Sequence, residues 1–79
     1  STMPTTIMGP YRFRFYSSDV TEPPHVHVIR AGNVAKIWLQ PVSLEYNRGY
    51  DSPELNRVIR LTEEYREQLL GAWHAHFNK

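Results

Sequence analysis

Two histidines stand two positions apart in His25-Val26-His27, and Arg12, Arg14, Lys36 and Trp38 lie in the segments on either side. On an extended strand, residues i and i+2 point to one face with Cβ atoms about 7 Å apart, so the two imidazoles can share a metal ion or act as a general acid and base. As an acid and base pair they would cleave RNA without a metal, and the Arg12, Arg14 and Lys36 cations would stabilise the charge that develops on the phosphorane. A metal needs three or four ligands. The other two histidines, His74 and His76, fall about 200° apart on a helix, so only one of them can face an ion. His76 is on the apolar side and would have to reach the strand pair around a sheet edge or from another subunit. The third reading of His25 and His27 is structural, with ring nitrogens bonded to backbone or to a carboxylate such as Glu22.

The elements that must position these residues are strands in the first half and helix in the second. Tyr11-Arg12-Phe13-Arg14-Phe15-Tyr16 alternates with period two and ends in the turn residues Ser17-Ser18-Asp19. Glu22-Pro23-Pro24 cannot lie in a sheet, because two prolines withhold their ladder donors, and Pro24 marks the start of the strand His25–Arg30. Ala31-Gly32-Asn33 is a three-residue connection to Val34–Leu39, which makes residues 25–39 a hairpin. Pro41 ends that run, residues 42–46 form a fourth strand, and Asn47-Arg48-Gly49 is a turn in which Gly49 can take positive φ.

A helix starts at Asp51-Ser52-Pro53-Glu54, capped by Ser52 with Pro53 at the first helical position, or by Asp51 with Glu54 closing a capping box. Leu55, Val58, Ile59, Thr62, Tyr65, Leu69, Trp73, His76 and Phe77 form one stripe at helical spacing. A single rod over 53–78 would be about 40 Å long, whereas a compact chain of this size is about 30 Å across. The helix must therefore break or bend, with Gly71 the weak point on propensity, or overhang onto another subunit.

Alternation divides the strand residues between two faces. Tyr11, Phe13, Phe15, Val26, Val28, Ala35, Ile37 and Leu39 form the inward set. Arg12, Arg14, Tyr16, His25, His27, Ile29, Val34, Lys36 and Trp38 form the outward set, a basic and aromatic surface. Such a face can neutralise phosphates and stack bases, as single-strand RNA and DNA readers do, or it can be an ordinary solvated sheet face with Trp38 resting on aliphatic stems. Trp73 and Phe77, one turn apart, either anchor the helix end on the sheet, with His74 in water, or together with His76 form a surface for a partner or a second copy.

Composition narrows the class. The chain has 79 residues, 41% of them apolar and 13% aromatic, no cysteine and a net charge of +1. That allows one hydrophobic core, excludes disulfides and thiolate zinc sites, and gives little sequence-independent attraction to nucleic acid. Residues 1–50 carry five Lys/Arg against three Asp/Glu, so the sheet half is the basic half. No membrane span or secretory leader is visible, which predicts a cytoplasmic protein. Ser1 and Thr2 ahead of Met3 read as an expression remnant, so a single domain is expected over 3–79. No glycine-rich phosphate loop, Ser/His/Asp set or paired catalytic carboxylates can be assembled, and no cofactor is expected. The fold predicted is α+β in two layers: an antiparallel sheet of three or four strands covered by one long or broken C-terminal helix.

Met3-Pro4, Tyr11-Arg12-Phe13, Phe15-Tyr16-Ser17, Glu22-Pro23-Pro24-His25-Val26-His27-Val28, Ala35-Lys36-Ile37-Trp38-Leu39 and Trp73-His74-Ala75-His76-Phe77 together resemble the small bacterial proteins grouped as domain of unknown function 4160. The resemblance covers nearly the whole chain, and the Glu22 to Val28 string is its most specific part. It implies a small cytoplasmic protein from a toxin-antitoxin-like gene pair, with a partner encoded by the neighbouring gene, and it supplies no reaction or catalytic residue. The reading that follows is a binding module for a partner protein and for RNA or DNA, with Arg12, Arg14, His25, His27, Lys36 and Trp38 on the nucleic-acid face and Trp73, His76 and Phe77 toward the partner. The alternatives are an endoribonuclease using His25 and His27, and a zinc-binding module.

Overall fold

A computed structural model describes the backbone of residues 5–15 and 21–77 and the side chains of residues 9–15 and 21–77. Tyr16, the turn at 17–19 and Met3-Pro4 lie outside the described residues. Five strands, β1 (Thr5–Met8), β2 (Tyr11–Arg14), β3 (His25–Arg30), β4 (Asn33–Leu39) and β5 (Val42–Arg48), are followed by α1 (Ser52–Glu64) and α2 (Arg66–Phe77). The strands form one antiparallel meander in chain order. The α+β architecture is as expected, with one strand more than the alternation indicates: β1 is joined to β2 through Gly9-Pro10, where Gly9 takes φ 60°. Glycine at the first position of a two-residue loop gives the twist a hairpin needs.

The β3–β4 connection is shorter than its composition suggests. Asn33 already pairs with Arg30, so the loop is Ala31-Gly32 alone, with φ 52° and 83°. Both central residues at positive φ define the tight hairpin turn whose twist matches its strands, and Ala31 accepts an unfavourable conformation to make it. The β4–β5 loop is also two residues, Gln40-Pro41, joined by a cis peptide bond.

Asp51 is the helix cap: its Oδ1 accepts from the Glu54 amide at 2.9 Å. The Glu54 side chain does not close a capping box. Its Oε2 accepts from the Tyr11 hydroxyl at 3.0 Å and pairs with Arg30, tying the first turn of α1 to β2 and β3. The helical stripe runs as predicted, but the break falls at Tyr65 rather than Gly71, and Tyr65 takes φ −103° and ψ 17°. Two contacts favour that position. The buried Thr62 hydroxyl donates back to the Val58 carbonyl at 2.9 Å, an interaction that bends helices, and Arg66 Nε donates to the Leu39 carbonyl at 2.8 Å, pinning the start of α2 to the end of β4. Gly71 remains helical, with open space where a Cβ would stand. The two pieces, about 20 and 18 Å long, fit a body of 37 × 24 × 21 Å with a radius of gyration of 11.7 Å.

Every residue of the inward set is buried, and Val58, Thr62, Leu69, Leu70 and Trp73 from the helices close the core over it. Tyr50 joins them without a periodic signal in the sequence. Asn47 holds it from both sides, donating Nδ2 to the Tyr50 carbonyl at 2.9 Å and accepting from the Tyr50 amide at 3.2 Å, while the Tyr50 hydroxyl donates to the Val28 carbonyl at 3.0 Å. Gly49 allows this turn at φ 105°, and a Cβ there would lie 2.1 Å from Asn33 Oδ1. Burial, reinforced by the Tyr11 and Glu54 charges, pushes the Tyr50 phenol up to about 12. A raised folded value means that this contribution to stability is complete below the ordinary tyrosine value of about 10 and is lost between about 10 and about 12. Unfolding midpoints measured through that window should fall with pH, and Tyr50→Phe should flatten the decline.

Candidate functional site

The helices cover one face of the sheet, and strand register arranges the side chains of the other. Arg14, His27, Lys36 and Tyr46 stand opposite one another across β2 to β5, and Arg12, Ile29, Val34 and Arg48 form the next row. His25, Trp38 and Ser43 form a third row at the far end of β3. With strands about 4.8 Å apart, Arg14 and Lys36 are separated by about 10 Å, and Arg12 and Arg48 by about 14 Å. A register shift at Lys36/Ile37 inserts Glu45 into β5 and turns it toward Trp38, whose Nε1 donates to Glu45 Oε1 at 3.0 Å.

The cations of this face differ in how they are held. Arg12 is exposed, and beside it Pro10, Arg12, Ile29, Arg30, Ala31 and Gly32 line a shallow depression of about 280 Å³. Arg48 lies over the Tyr46 ring at 5.1 Å. Lys36 lies over the Trp38 ring at 5.0 Å, and its Nζ is 2.6 Å from Glu22 Oε1, so that its side chain is only 14% exposed. The hydrogen bond from Lys36 holds the Glu22 carboxyl below its usual range, with smaller help from the Lys36, His25 and His27 charges. All of the nucleic-acid residues expected from the sequence thus lie along the outer rows, and Tyr46 and Arg48 extend the set. The β4–β5 pairing could have indicated Arg48. The extra residue at Glu45 hides the match by shifting the alternation.

For two residues the expectation of an open face does not hold. His25 is completely buried and His27 is 9% exposed. Alternation fixes which way a side chain leaves the sheet but not what covers it, and His25, the first residue of β3, lies within reach of α2. Its ring is 5.1 Å from Trp73 of α2, 5.3 Å from Trp38 and 5.3 Å from His27, centroid to centroid. His25 Nδ1 donates to the Pro23 carbonyl at 2.9 Å; a carbonyl can only accept, so this nitrogen carries hydrogen. The two rings do lie together as a pair, edge to face, and the bond to Pro23 is the kind that orients a structural histidine.

The three residues expected to meet a partner differ as well. Trp73 is 5% exposed and packs edge-on to Phe15 at 5.5 Å, so it belongs to the core. Phe77, 4.3 Å from Trp73, and His76, 4.5 Å from Phe77, are half-buried at the end of α2, while His74 faces water. Among the described residues no three His, Asp or Glu side chains come together as a metal site, and no helix is long and apolar enough to cross a membrane. No curated protein and no solved structure matches the chain. One family does match, over residues 11–74, a range running from the first residue of β2 into α2. The chain belongs to the family described as domain of unknown function DUF4160.

Proposed function

We propose that the chain is a small binding module that takes a single strand of nucleic acid on the outer face of its sheet, as one member of a toxin-antitoxin-like gene pair. The observation that supports this is the pair of cross-strand rows. Among the described residues, four cations, Arg12, Arg14, Lys36 and Arg48, share one face with the Trp38 and Tyr46 rings, and the carboxylates of Glu22 and Glu45 reach it. Cations spaced across a sheet meet successive phosphates, and rings between them stack on bases of any sequence. With a net charge of only +1, any attraction to the backbone has to be local to this face. The half-exposed His76 and Phe77 at the end of α2 are the position for the small protein encoded by the neighbouring gene, or for a second copy. Cleavage by His25 and His27 is the weaker reading, because both rings would have to reach a phosphodiester from inside the protein.

The double reversal Arg12→Glu/Arg48→Glu tests the face, with Arg57→Glu/Arg60→Glu on the exposed side of α1 as the matched control. Affinity for a labelled oligouridine should fall at least about tenfold, and the slope of log affinity against log salt should flatten by about 1.4, the share of two phosphates. Equal losses in the control would remove the sheet face from the account.

A further inference from the structure

The outer face carries its own anion. Glu22 comes from the bend before β3, and its carboxylate meets Lys36 Nζ at 2.6 Å while the same ammonium sits over Trp38. We infer that Glu22 holds the place of a phosphate: Lys36 and Trp38 form a subsite for one nucleotide of a bound strand, and the incoming phosphate displaces the Glu22 carboxylate from Lys36. The inference rests on the nucleic-acid reading of the face and adds which residues form the central subsite and what guards it.

The chemistry of the exchange is one oxyanion for another. A carboxylate and a phosphate accept from an ammonium at the same distance, and although Lys36 has three N–H donors, two anions held side by side on one largely buried ammonium repel each other, so they compete for it. Glu22 is the more accessible member, since its side chain is 41% exposed whereas that of Lys36 is 14% exposed with its ammonium over Trp38. The indole is fixed independently by His25 against it and by its Nε1 donating to Glu45. A base can therefore stack on the exposed part of Trp38 with its phosphate on Lys36. In the free protein the bridge already neutralises Lys36, so a phosphate arriving there releases little condensed salt, in contrast with one arriving at the exposed Arg12. The guard lowers affinity for loose anions and demands a ligand that supplies the ring contact and the phosphate together.

The test measures labelled oligouridine and oligothymidine of about twelve nucleotides, a length within the range of small sheet readers, on four proteins: wild type, Glu22→Gln, Glu22→Gln/Lys36→Met and Glu64→Gln. Lys36→Met keeps the stem over Trp38. Glu22→Gln should tighten binding about three- to tenfold and steepen the salt slope by about 0.7, one additional phosphate's worth. Adding Lys36→Met should abolish that gain, and Glu64→Gln, an exposed charge on α1, should change affinity less than twofold. A Glu22→Gln response no larger than that of Glu64→Gln, with wild type still bound, would overturn the guard and leave the face as the binding surface. No binding by either wild type or Glu22→Gln would overturn both. Tighter binding of polyglutamate than of either oligonucleotide would reassign the face to an acidic protein.

Discussion

Trp73→Ala should leave the domain largely unfolded at ordinary temperature. The indole is 5% exposed and joins three parts of the molecule: Phe15 beyond the end of β2, His25 at the start of β3 and Phe77 at the end of α2. Removing a buried aromatic ring from a close-packed site costs about 3–5 kcal/mol, because the neighbours collapse only partly into the space. A single core in a chain this short supplies a net stability of about the same size. Far-ultraviolet circular dichroism against temperature or urea reads the outcome directly. A midpoint within a few degrees of wild type would mean that α2 contributes little to holding the sheet, and that the apolar end of the helix is available for a partner after all.

The second large effect is at the histidine pair, where His25→Ala/His27→Ala should lower stability by about 2–4 kcal/mol. This combines the lost ring volume with a lost bond to the Pro23 carbonyl. The same substitution would be the natural test for a nuclease, since loss of RNA cleavage is what an acid and base pair predicts. Burial changes how that result is interpreted: the variant loses whatever activity depends on a folded sheet, so a thermal melt must accompany the assay. An unshifted melt together with abolished cleavage would restore His25 and His27 as reacting groups. A lowered melt with the face still able to bind at low temperature is the result expected of structural rings.

Much of this architecture is legible in the residues. Tyr11, Phe13 and Phe15 alternate strongly enough to assign a strand and its buried side, and the same holds for Val26 with Val28 and for Ala35, Ile37 and Leu39, because a slip of one residue would expose the whole set. The stripe from Leu55 to Phe77 is equally plain. What pattern cannot supply is the effect of distant neighbours. The helix breaks at Tyr65, where the Leu39 carbonyl, far away in sequence, holds Arg66 and Thr62 bonds back to Val58, and the glycine with the poorest propensity stays helical. The strand β1 reads Thr5-Thr6-Ile7-Met8, which has no polar and apolar alternation, although Gly9-Pro10 does mark its turn.

The functional face shows the same division. Arg12, Arg14, Lys36 and Trp38 share a side by alternation alone, whereas Glu22 reaches Lys36 from outside the sheet and Glu45 reaches Trp38 through an inserted residue. Neither carboxylate announces its partner in sequence, and both alter the chemistry of the surface, one by occupying the ammonium and the other by orienting the indole. Burial of His25 has the same origin. Its direction follows from the strand, and its cover comes from Trp73, nearly fifty positions later.

The most direct measurement is an amide and indole NMR map of the isotopically labelled protein titrated with oligouridine. Binding through the outer sheet should perturb the Trp38 indole N–H and the amides of Arg12, Arg14, Lys36, Tyr46 and Arg48, while the exposed residues of α1 from Asn56 to Glu64 stay unmoved. Perturbations concentrated on α1 and α2, with Trp38 unchanged at saturating oligonucleotide, would contradict the assignment of the sheet face.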